Sequence, residues 1–393
     1  MYPAYIGEII SRFEKNGEKA YIVGGSLRDI LIGTTPHDYD IATSALPNKT
    51  ARIFSDKHVI ETGIKHGTVT VVWNGEPVEI TTFRIDGSYT DSRHPDSVSF
   101  TSDITADLAR RDFTVNAMAY NDRDGLVDPF GGREDIERKL LRAVREPSER
   151  FREDALRIMR AFRFSAQLDF DIDIHTLDGI RATRDGLAHI ARERMGSEFL
   201  KLITCTSPEK SIRLMVEMGV MEYVLGDHLP SDIIISQMKK MPKDTVSRLG
   251  FLLCEADEEK VREILHSLRC STKQITGALA VVRGSQKCVV TSADARRLIA
   301  ETGVYATAAA RASELCGNSL GGAYELTQKQ ADTPCSLKEL KINGKILAEM
   351  GVRGKMIGEI LDELMSAVID APDKNHSEVL KTMARRIIDE RKS

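Results

Sequence analysis

The chain has 393 residues, and at roughly 100 to 200 residues per domain this length predicts several structural units. Apolar residues make up 41% of the chain and charged residues 29%, which is ordinary globular composition and argues against a disordered chain. The net charge of −4 gives no reason to expect nucleic-acid binding from overall charge, so any such partner must be argued from local sites.

Hydropathy and the N-terminal residues predict where the protein resides. No run approaches the roughly 18 consecutive apolar residues that a membrane-spanning helix needs. Residues 1–12 lack a basic region followed by an apolar stretch, so a secretory signal is not indicated. We therefore expect a cytoplasmic protein with no membrane partner.

The first third of the chain alternates strand and helix patterns. Residues 21–23 predict a short strand that runs into Gly24-Gly25-Ser26, and apolar residues at helical spacing from Leu27 predict a helix that Gly33 ends. Alternating and β-branched patterns predict three more strands, at 37–42, 68–73 and 78–83. A mixed sheet is the natural assembly of these elements.

Helical periodicity dominates from about residue 148 onward. It predicts helices at 153–167, 192–203, 211–218 and 258–268, with few strand signals between them. The chain as a whole is therefore predicted to be α+β, with a mixed sheet first and helices after it.

Paired acids mark the first candidate site. Asp38 and Asp40 are one residue apart in a predicted strand, so their carboxylates should leave the same face. If Val78 and Ile80 face the core, Glu79 shares that open face and could be a third acid. Clustered carboxylates repel one another unless a cation lies among them, and an all-oxygen site suits Mg²⁺. A polar strand face without a metal is the simpler alternative.

A glycine turn just before these acids sharpens the prediction. Gly24 and Gly25 let backbone N–H groups approach an anion, Ser26 can cap the following helix, and Arg28 lies in its first turn. A phosphate cradle followed by paired acids is what two-metal nucleotidyl transfer requires. By itself, the glycine pair would be interpreted as a tight turn and nothing more.

Two further segments carry unusual densities of polar residues. Residues 110–120 place Arg110, Arg111 and Asp112 against an apolar stretch, and residues 153–157 place acids where a helix begins. Asp154 and Arg157, at i and i+3, share a helix face. An intrahelical salt bridge is the alternative reading of that pair.

Taken in order, these segments resemble the motifs of the class II CCA-adding enzymes, the tRNA nucleotidyltransferases that share a polymerase-β-like superfamily with bacterial poly(A) polymerases. The resemblance covers about residues 20–205 and weakens at 194–202. Its motifs are Gly24-Gly25-Ser26-Leu27-Arg28-Asp29 with Asp38-Tyr39-Asp40, then residues 110–117, then Asp128-Pro129-Phe130-Gly131-Gly132, then Glu153-Asp154-Ala155-Leu156-Arg157.

The resemblance implies a domain order and an activity. It implies a polymerase-β-like catalytic head at 1–147, a helical neck that recognises the nucleotide base at 148–205, and a tRNA-binding helical body and tail at 206–300 and 301–393. It also implies template-independent addition of C, C and A to tRNA 3′ ends from CTP and ATP, with pyrophosphate released and Mg²⁺ as cofactor. No protein partner is implied.

The resemblance also assigns roles to residues. Asp38 and Asp40 would hold Mg²⁺ as catalytic metal ligands, and Glu79 is added to the catalytic set on geometry alone. The nucleotide-binding set is Gly24, Gly25, Arg28, Arg111, Asp112, Asn116, Asp154, Arg157, Arg160 and Arg163, in which Asp154 and Arg157 would read the base.

Base chemistry gives the last pair a reason. Cytosine presents its N4 amino donor beside the N3 acceptor, and adenine presents its N6 amino donor beside N1. One carboxylate and one guanidinium can therefore pair with either base, whereas uracil and guanine present the opposite order. A mismatched edge would leave buried polar groups unpaired, so such a site selects C and A.

Several alternatives stay open. Bacterial poly(A) polymerases resemble one another in a basic run where this chain has residues 61–67, which favours a tRNA substrate. Relatives that add only CC lack a flexible loop that residues 84–95 fill here, so a full CCA adder or an A adder is preferred. A non-catalytic RNA-binding relative would have lost one of the paired aspartates, and a small-molecule transferase would not need the long helical extension.

The C-terminal region offers one local RNA-binding candidate. Arg353 and Lys355 flank Gly354 at a predicted helix start, where they could contact an RNA phosphate. An ordinary helix-helix turn with solvated charges is the equal alternative. Lone histidines such as His37 are expected to be structural or surface residues rather than ligands.

Overall fold

The fold is described by a computed structural model that covers residues 2–64, 67–87 and 97–391. The chain divides into two compact units: unit 1 is Met1–Leu202 with Leu214–Val224, and unit 2 is Ile203–Arg213 with Leu225–Ser393. Across the described residues, each helix is too short or too polar to cross a membrane.

A seven-stranded mixed sheet forms the centre of unit 1 in its described part, with strand order β3-β4-β5-β2-β1-β8-β9. Strands β2 and β5 are parallel, and the other neighbours are antiparallel. Two-stranded pairs β6-β7 and β10-β11 lie outside this sheet. The strands are β1 Ala20–Val23, β2 Asp40–Thr43, β3 His58–Ile60, β4 Thr68–Trp73, β5 Glu76–Thr82, β6 Arg84–Asp86, β7 Val98–Phe100, β8 Ala119–Asn121, β9 Gly125–Val127, β10 Leu140–Leu141 and β11 Asp171–Ile172.

Helices surround the sheet and continue to the end of the described chain. Those before residue 204 are α1 Ala4–Lys15, α2 Gly24–Ile32, α3 Pro47–Ile53, α4 Ile104–Ala109, α5 Gly132–Glu137, α6 Pro147–Glu153, α7 Leu156–Leu168, α8 Ile174–Thr183 and α9 Arg192–Ile203. The later helices are α10 Glu209–Glu217, α11 Met221–Leu225, α12 Asp232–Gln237, α13 Thr245–Leu252, α14 Glu258–Ser267, α15 Thr272–Ser285, α16 Ser292–Thr302, α17 Ala306–Leu315, α18 Ala323–Lys329, α19 Gly344–Glu349, α20 Lys355–Asp370 and α21 Ser377–Glu390.

The sheet buries apolar side chains on both faces. Successive residues of a strand point to opposite faces, so Ile22 packs in one cluster with Phe13 of α1, while Val23 packs in another with Leu108 of α4. All four of these side chains are almost fully buried. With both faces covered, the strand edge where β1 ends and β2 begins is free to carry polar groups.

The sequence predicted the α+β class correctly, and strands β1, β2, β4 and β5 are present near their predicted positions. Two predictions about element bounds were wrong. Asp38 lies in a bend before β2, which begins at Asp40. The helix predicted at 153–167 is interrupted at Asp154, whose extended backbone (φ −147°, ψ 101°) ends α6 before α7 begins.

The predicted neck is also less purely helical than expected. Strand β11 lies within it and pairs in parallel with β10 of the predicted head. Because each strand has only two residues, periodicity could not reveal them. Residues 88–95 of the predicted loop at 84–95 and residues 65–66 of the run at 61–67 lie outside the described residues.

Candidate active site

A polar cleft of about 730 Å³ opens in unit 1. Arginines and aspartates dominate its lining. The arginines are Arg28, Arg110, Arg111, Arg157, Arg160, Arg163 and Arg194, the aspartates are Asp29, Asp38, Asp40, Asp112 and Asp154, and the remainder are Gly24, Gly25, His37, Asn116, Leu156, Phe164 and Gln167. Such an excess of guanidinium over carboxylate groups suits a polyanionic ligand, since guanidinium pairs well with phosphate.

The two glycines form the start of α2 at the end of strand β1. Gly24 has φ +70°, and a Cβ there would lie 2.9 Å from Nη1 of Arg111 and 3.7 Å from Oδ2 of Asp40. Only glycine therefore permits this close approach of backbone, cation and carboxylate. Ser26 does not cap the helix as predicted: its hydroxyl is buried and donates to the carbonyl oxygen of Val23 at 2.9 Å.

The paired aspartates lie beside this helix start. Asp40 begins β2 and is in register with Glu79 of the parallel strand β5. Burial first, and then the neighbouring carboxylates of Asp38 and Glu79, raise the pKa of Asp40 to about 6 although Arg111 opposes the shift. The ionised pair is thus costly without a cation, so the carboxylate oxygens suit a divalent metal ion by their chemistry.

Replacing Asp40 should therefore stabilise the metal-free protein. Because its folded pKa of about 6 lies above the ordinary 3.8, its stabilising contribution is complete below the unfolded pKa and is lost as pH rises through 6. Metal-free Asp40→Asn should be more stable than wild type at pH 8 by on the order of 3 kcal/mol, with little difference near pH 4. Urea unfolding with chelator at pH 4, 6 and 8 measures this, and a gap independent of pH would contradict it.

A hydrogen-bond chain in the cleft links α2, the segment 112–116 and α7. Arg28 donates to the side-chain oxygen of Asn116 at 2.7 Å, and Asn116 donates to Asp112 at 3.2 Å. Arg160 donates to the other oxygen of Asp112 at 2.6 Å. Burial alone would raise the pKa of Asp112, but Arg160 and Asn116 lower it to about 2. The carboxylate stays ionised and fixed.

Asp154 and Arg157 do not form the intrahelical salt bridge that was the alternative. Asp154 accepts from the backbone N–H of Leu156 at 3.0 Å and from Arg194 at 3.0 Å. Arg157 donates to Glu153 at 2.6 Å and to the carbonyl of Arg150 at 2.9 Å. Both side chains line the cleft, each held by a partner other than its predicted one.

The cleft gathers the predicted nucleotide-binding residues and both aspartates of the metal pair. Glu79 is exposed and next to Asp40 in the sheet, but it does not line the cleft, so its role stays a prediction. Arg353 and Lys355 lie in unit 2, at the start of α20; Lys355 is 94% exposed and 3.9 Å from Glu359. Their contact with RNA also stays a prediction.

Some lining residues escaped the sequence analysis. Arg110 and Arg194 lie inside segments that the resemblance covered, so their position there was a usable signal. His37, set aside as structural or surface, is exposed and lines the cleft. Phe164 and Gln167 fit the apolar and surface stripes of an ordinary helix, so periodicity gave no signal for them.

The Asp38-Asp40 pair beside the start of α2 and the arginines of the same cleft are the groups that transfer of a nucleotidyl group needs. The protein is by class a nucleotidyltransferase. Among the described residues no three or more His, Cys, Asp or Glu are arranged to hold a metal ion. Two aspartates with substrate phosphates and water would complete a coordination shell.

Comparisons with known proteins identify the family. Residues 20–142 match the "Poly A polymerase head domain", 169–230 the "Probable RNA and SrmB- binding site of polymerase A" and 245–384 a tRNA nucleotidyltransferase domain 2. The CCA-adding enzyme of Ligilactobacillus salivarius is 35% identical to this chain, in an alignment that covers 98% of this chain and 96% of the relative. The CCA-adding enzyme of Geobacillus kaustophilus is 37% identical, and the alignment covers 94% of this chain and 93% of the relative. The chain belongs to the CCA-adding enzyme family.

Solved structures agree. The crystal structure of the Bacillus stearothermophilus CCA-adding enzyme in complex with CTP superposes with a TM-score of 0.82 at 31% identity, covering all of both chains. The Thermotoga maritima CCA-adding enzyme complexed with tRNA has a TM-score of 0.72 at 21% identity over 98% of this chain and 96% of that one, which supports the fold alone. Membership of a nucleotidyltransferase family implies dependence on a divalent metal ion.

Proposed function

We propose that this enzyme adds C, C and A to the 3′ end of tRNA from CTP and ATP, without a nucleic-acid template and with release of pyrophosphate. The observation that carries the proposal is the single cleft in which the glycines of α2, the Asp38-Asp40 pair and the Asp154-Arg157 pair all meet. The related enzymes named for CCA addition, one of them bound to CTP, support it.

Triphosphate binding falls to the helix start and the arginines. Gly24 and Gly25 line the cleft at the start of α2, where the helix dipole and the free N–H groups of a helix start favour negative charge. Arg111 lies close behind Gly24, and burial lowers the pKa of its guanidinium. A phosphate in front of Arg111 would recover the cost of burying that cation.

Base selection falls to Asp154 and Arg157. Each Asp154 oxygen accepts one hydrogen bond within the chain, which leaves a lone pair on each for an exocyclic amino group. Nη1 of Arg157 donates to both Glu153 and the carbonyl of Arg150, and Nη2 donates to the carbonyl of Arg110. Among the described residues Nε has no hydrogen-bond acceptor, so it can donate to N3 of cytosine or N1 of adenine. These fixed side chains would reject uracil and guanine.

Mg²⁺ is the cofactor that we propose for the Asp38-Asp40 pair. When bound there, it would supply Lewis-acid activation of the attacking hydroxyl and charge neutralisation on the leaving pyrophosphate. The two carboxylates would hold it, and the α2 start with Arg28 would orient the triphosphate. The described donor set is all oxygen, which suits Mg²⁺ better than a softer metal.

The division into head (1–147), neck (148–205), body (206–300) and tail (301–393) is part of the proposal, with nucleotide chemistry in the first two and tRNA binding in the others. The helices from α10 to α21 support it, because a long helical region that follows the cleft residues in the sequence suits a large substrate. A cytoplasmic location is proposed with it.

The deciding experiment incubates the purified protein with tRNA that lacks its 3′ CCA and with each labelled nucleoside triphosphate, and reads product length. We expect two C residues with CTP alone and a complete CCA with CTP and ATP. Chelator should stop both additions, and Mg²⁺ should restore them.

Other products would indicate other activities. An A residue added only to tRNA already ending in CC would indicate an A-adding enzyme, and a long A tract would indicate a poly(A) polymerase. tRNA binding without any addition would indicate an RNA-binding relative without catalysis.

A further inference from the structure

Three arginines of the cleft converge on one aromatic ring. The guanidinium carbon of Arg163 lies 3.9 Å from the ring centroid of Phe164, that of Arg160 lies 5.1 Å away, and that of Arg28 lies 5.3 Å away. All three distances are within the roughly 6 Å range of cation–π attraction. Phe164 is 6% exposed, so water screens these contacts little. The ring thus contacts cations from both α2 and α7.

Each of these arginines is also held by its own carboxylate. The ion pairs are Arg28 with Asp29 at 2.7 Å, Arg160 with Asp112 at 2.6 Å and Arg163 with Glu198 at 2.5 Å. An arginine without contacts populates many rotamers. Contacts with both a carboxylate and an aromatic ring restrict the guanidinium to few of them. Three like charges so close together repel one another, and the negative ring face offsets part of that repulsion.

The ring itself is anchored in the core. Phe164 packs edge to face against Phe113, with centroids 5.8 Å apart, and Phe113 is fully buried. Phe113 belongs to the segment that also carries Arg111 and Asp112. The aromatic pair therefore links the arginines to the interior of unit 1.

We propose that Phe164 is a positioning residue for substrate: its ring holds Arg28, Arg160 and Arg163 in the arrangement that receives the triphosphate of CTP and ATP. This inference rests on the proposed function of the cleft. Plain core packing is the alternative, in which only the size of the side chain matters. The two differ in what the electron density of the ring affects: core packing, including the contact with Phe113, affects stability, whereas the proposed role affects the affinity for nucleotide.

Fluorination tests this directly. Phenylalanine analogues with one, two and three ring fluorines at position 164 keep nearly the same shape and progressively weaken the negative ring face. We expect KM for CTP and for ATP to rise stepwise and equally, by about tenfold in total, while kcat changes less. The inhibition constant for inorganic tripolyphosphate, which has no base, should rise in parallel.

Two comparisons keep the result interpretable. The same analogues at Phe162, a fully buried neighbour on α7 that does not line the cleft, should leave KM unchanged. Phe164→Trp should retain more nucleotide affinity than Phe164→Leu if the folded fraction of both, checked by thermal unfolding, is complete.

A flat KM across the fluorinated series in an enzyme that adds CCA would overturn the role of Phe164 alone. If the wild-type protein adds no nucleotide to tRNA, the proposed function fails instead, and binding of tripolyphosphate across the series still tests the ring. A rise at Phe162 equal to that at Phe164 would also refute the proposal, since it would reflect altered packing.

Discussion

Asp40→Asn is expected to abolish the addition of both CMP and AMP, with kcat/KM lower by on the order of 10³-fold or more. Asn keeps the size of the side chain but removes the charge that the proposed metal site needs. Because the proposed metal would be needed for the triphosphate of either nucleotide, the loss should be the same for both. The assay is single-nucleotide addition to tRNA lacking CCA, at fixed Mg²⁺.

Two matched variants accompany this measurement. Asp56→Asn removes an exposed carboxylate of unit 1 that pairs with Arg12 at 2.6 Å, and it should add nucleotides at the wild-type rate. Glu79→Gln separates the two readings of Glu79: a large loss would make it a third catalytic acid, and a near-normal rate would leave it a neighbour of Asp40. Wild-type rates in Asp40→Asn would refute the metal assignment.

Local patterns predicted the α+β class, four strands of the central sheet and many of the residues that line the cleft. Strand β1 follows from a short apolar run, β4 from β-branched residues and β5 from alternation, and the start of α2 follows from its glycines. Most of the predicted site residues cluster in short motifs, whereas Glu79, Arg160 and Arg163 lie outside them. Physical reasoning on the residues gave their chemistry, and the family resemblance gave their roles.

Long-range partners could not be predicted in the same way. Arg160 pairs with Asp112, 48 residues earlier, and Arg163 with Glu198, 35 residues later. Nothing in the sequence at either position specifies the other. The prediction paired Asp154 with Arg157 or left both to the ligand, whereas Asp154 pairs with Arg194, which only the tertiary fold brings near.

The break at Asp154 shows a second limit. The sequence pattern over 153–167 is helical throughout. In the structure, however, α6 ends at Glu153 and α7 begins at Leu156. Only the extended backbone of Asp154, whose side chain accepts from the N–H of Leu156, divides the two helices. Asp154 lines the cleft at this break. The position where the structure departs from the predicted helix is therefore a proposed base-reading residue.

Arg157→Ala is expected to keep nucleotide transfer while losing selection against UTP and GTP. Removing one partner of a buried polar contact should cost on the order of 1 to 3 kcal/mol of discrimination, or about 5- to 150-fold. Arg157 is held by Glu153, which also pairs with Arg150, so loss of Arg157 leaves that carboxylate with a partner. The triphosphate contacts and the Asp38-Asp40 pair involve other residues, and they should persist.

The measurement is kcat/KM for all four nucleoside triphosphates, on tRNA ending in CC and on tRNA lacking all three nucleotides. Arg138→Ala is the matched control, because it removes an arginine from an exposed i, i+4 pair with Glu134 outside the cleft, and its selectivity should equal wild type. Asp154→Asn should shift selection in the same sense as Arg157→Ala, since the amide presents a donor where the carboxylate only accepts. A uniform fall in rate for Arg157→Ala, with the preference for C and A intact, would instead mean that Arg157 only braces the α6-α7 junction through Glu153 and that other groups read the base.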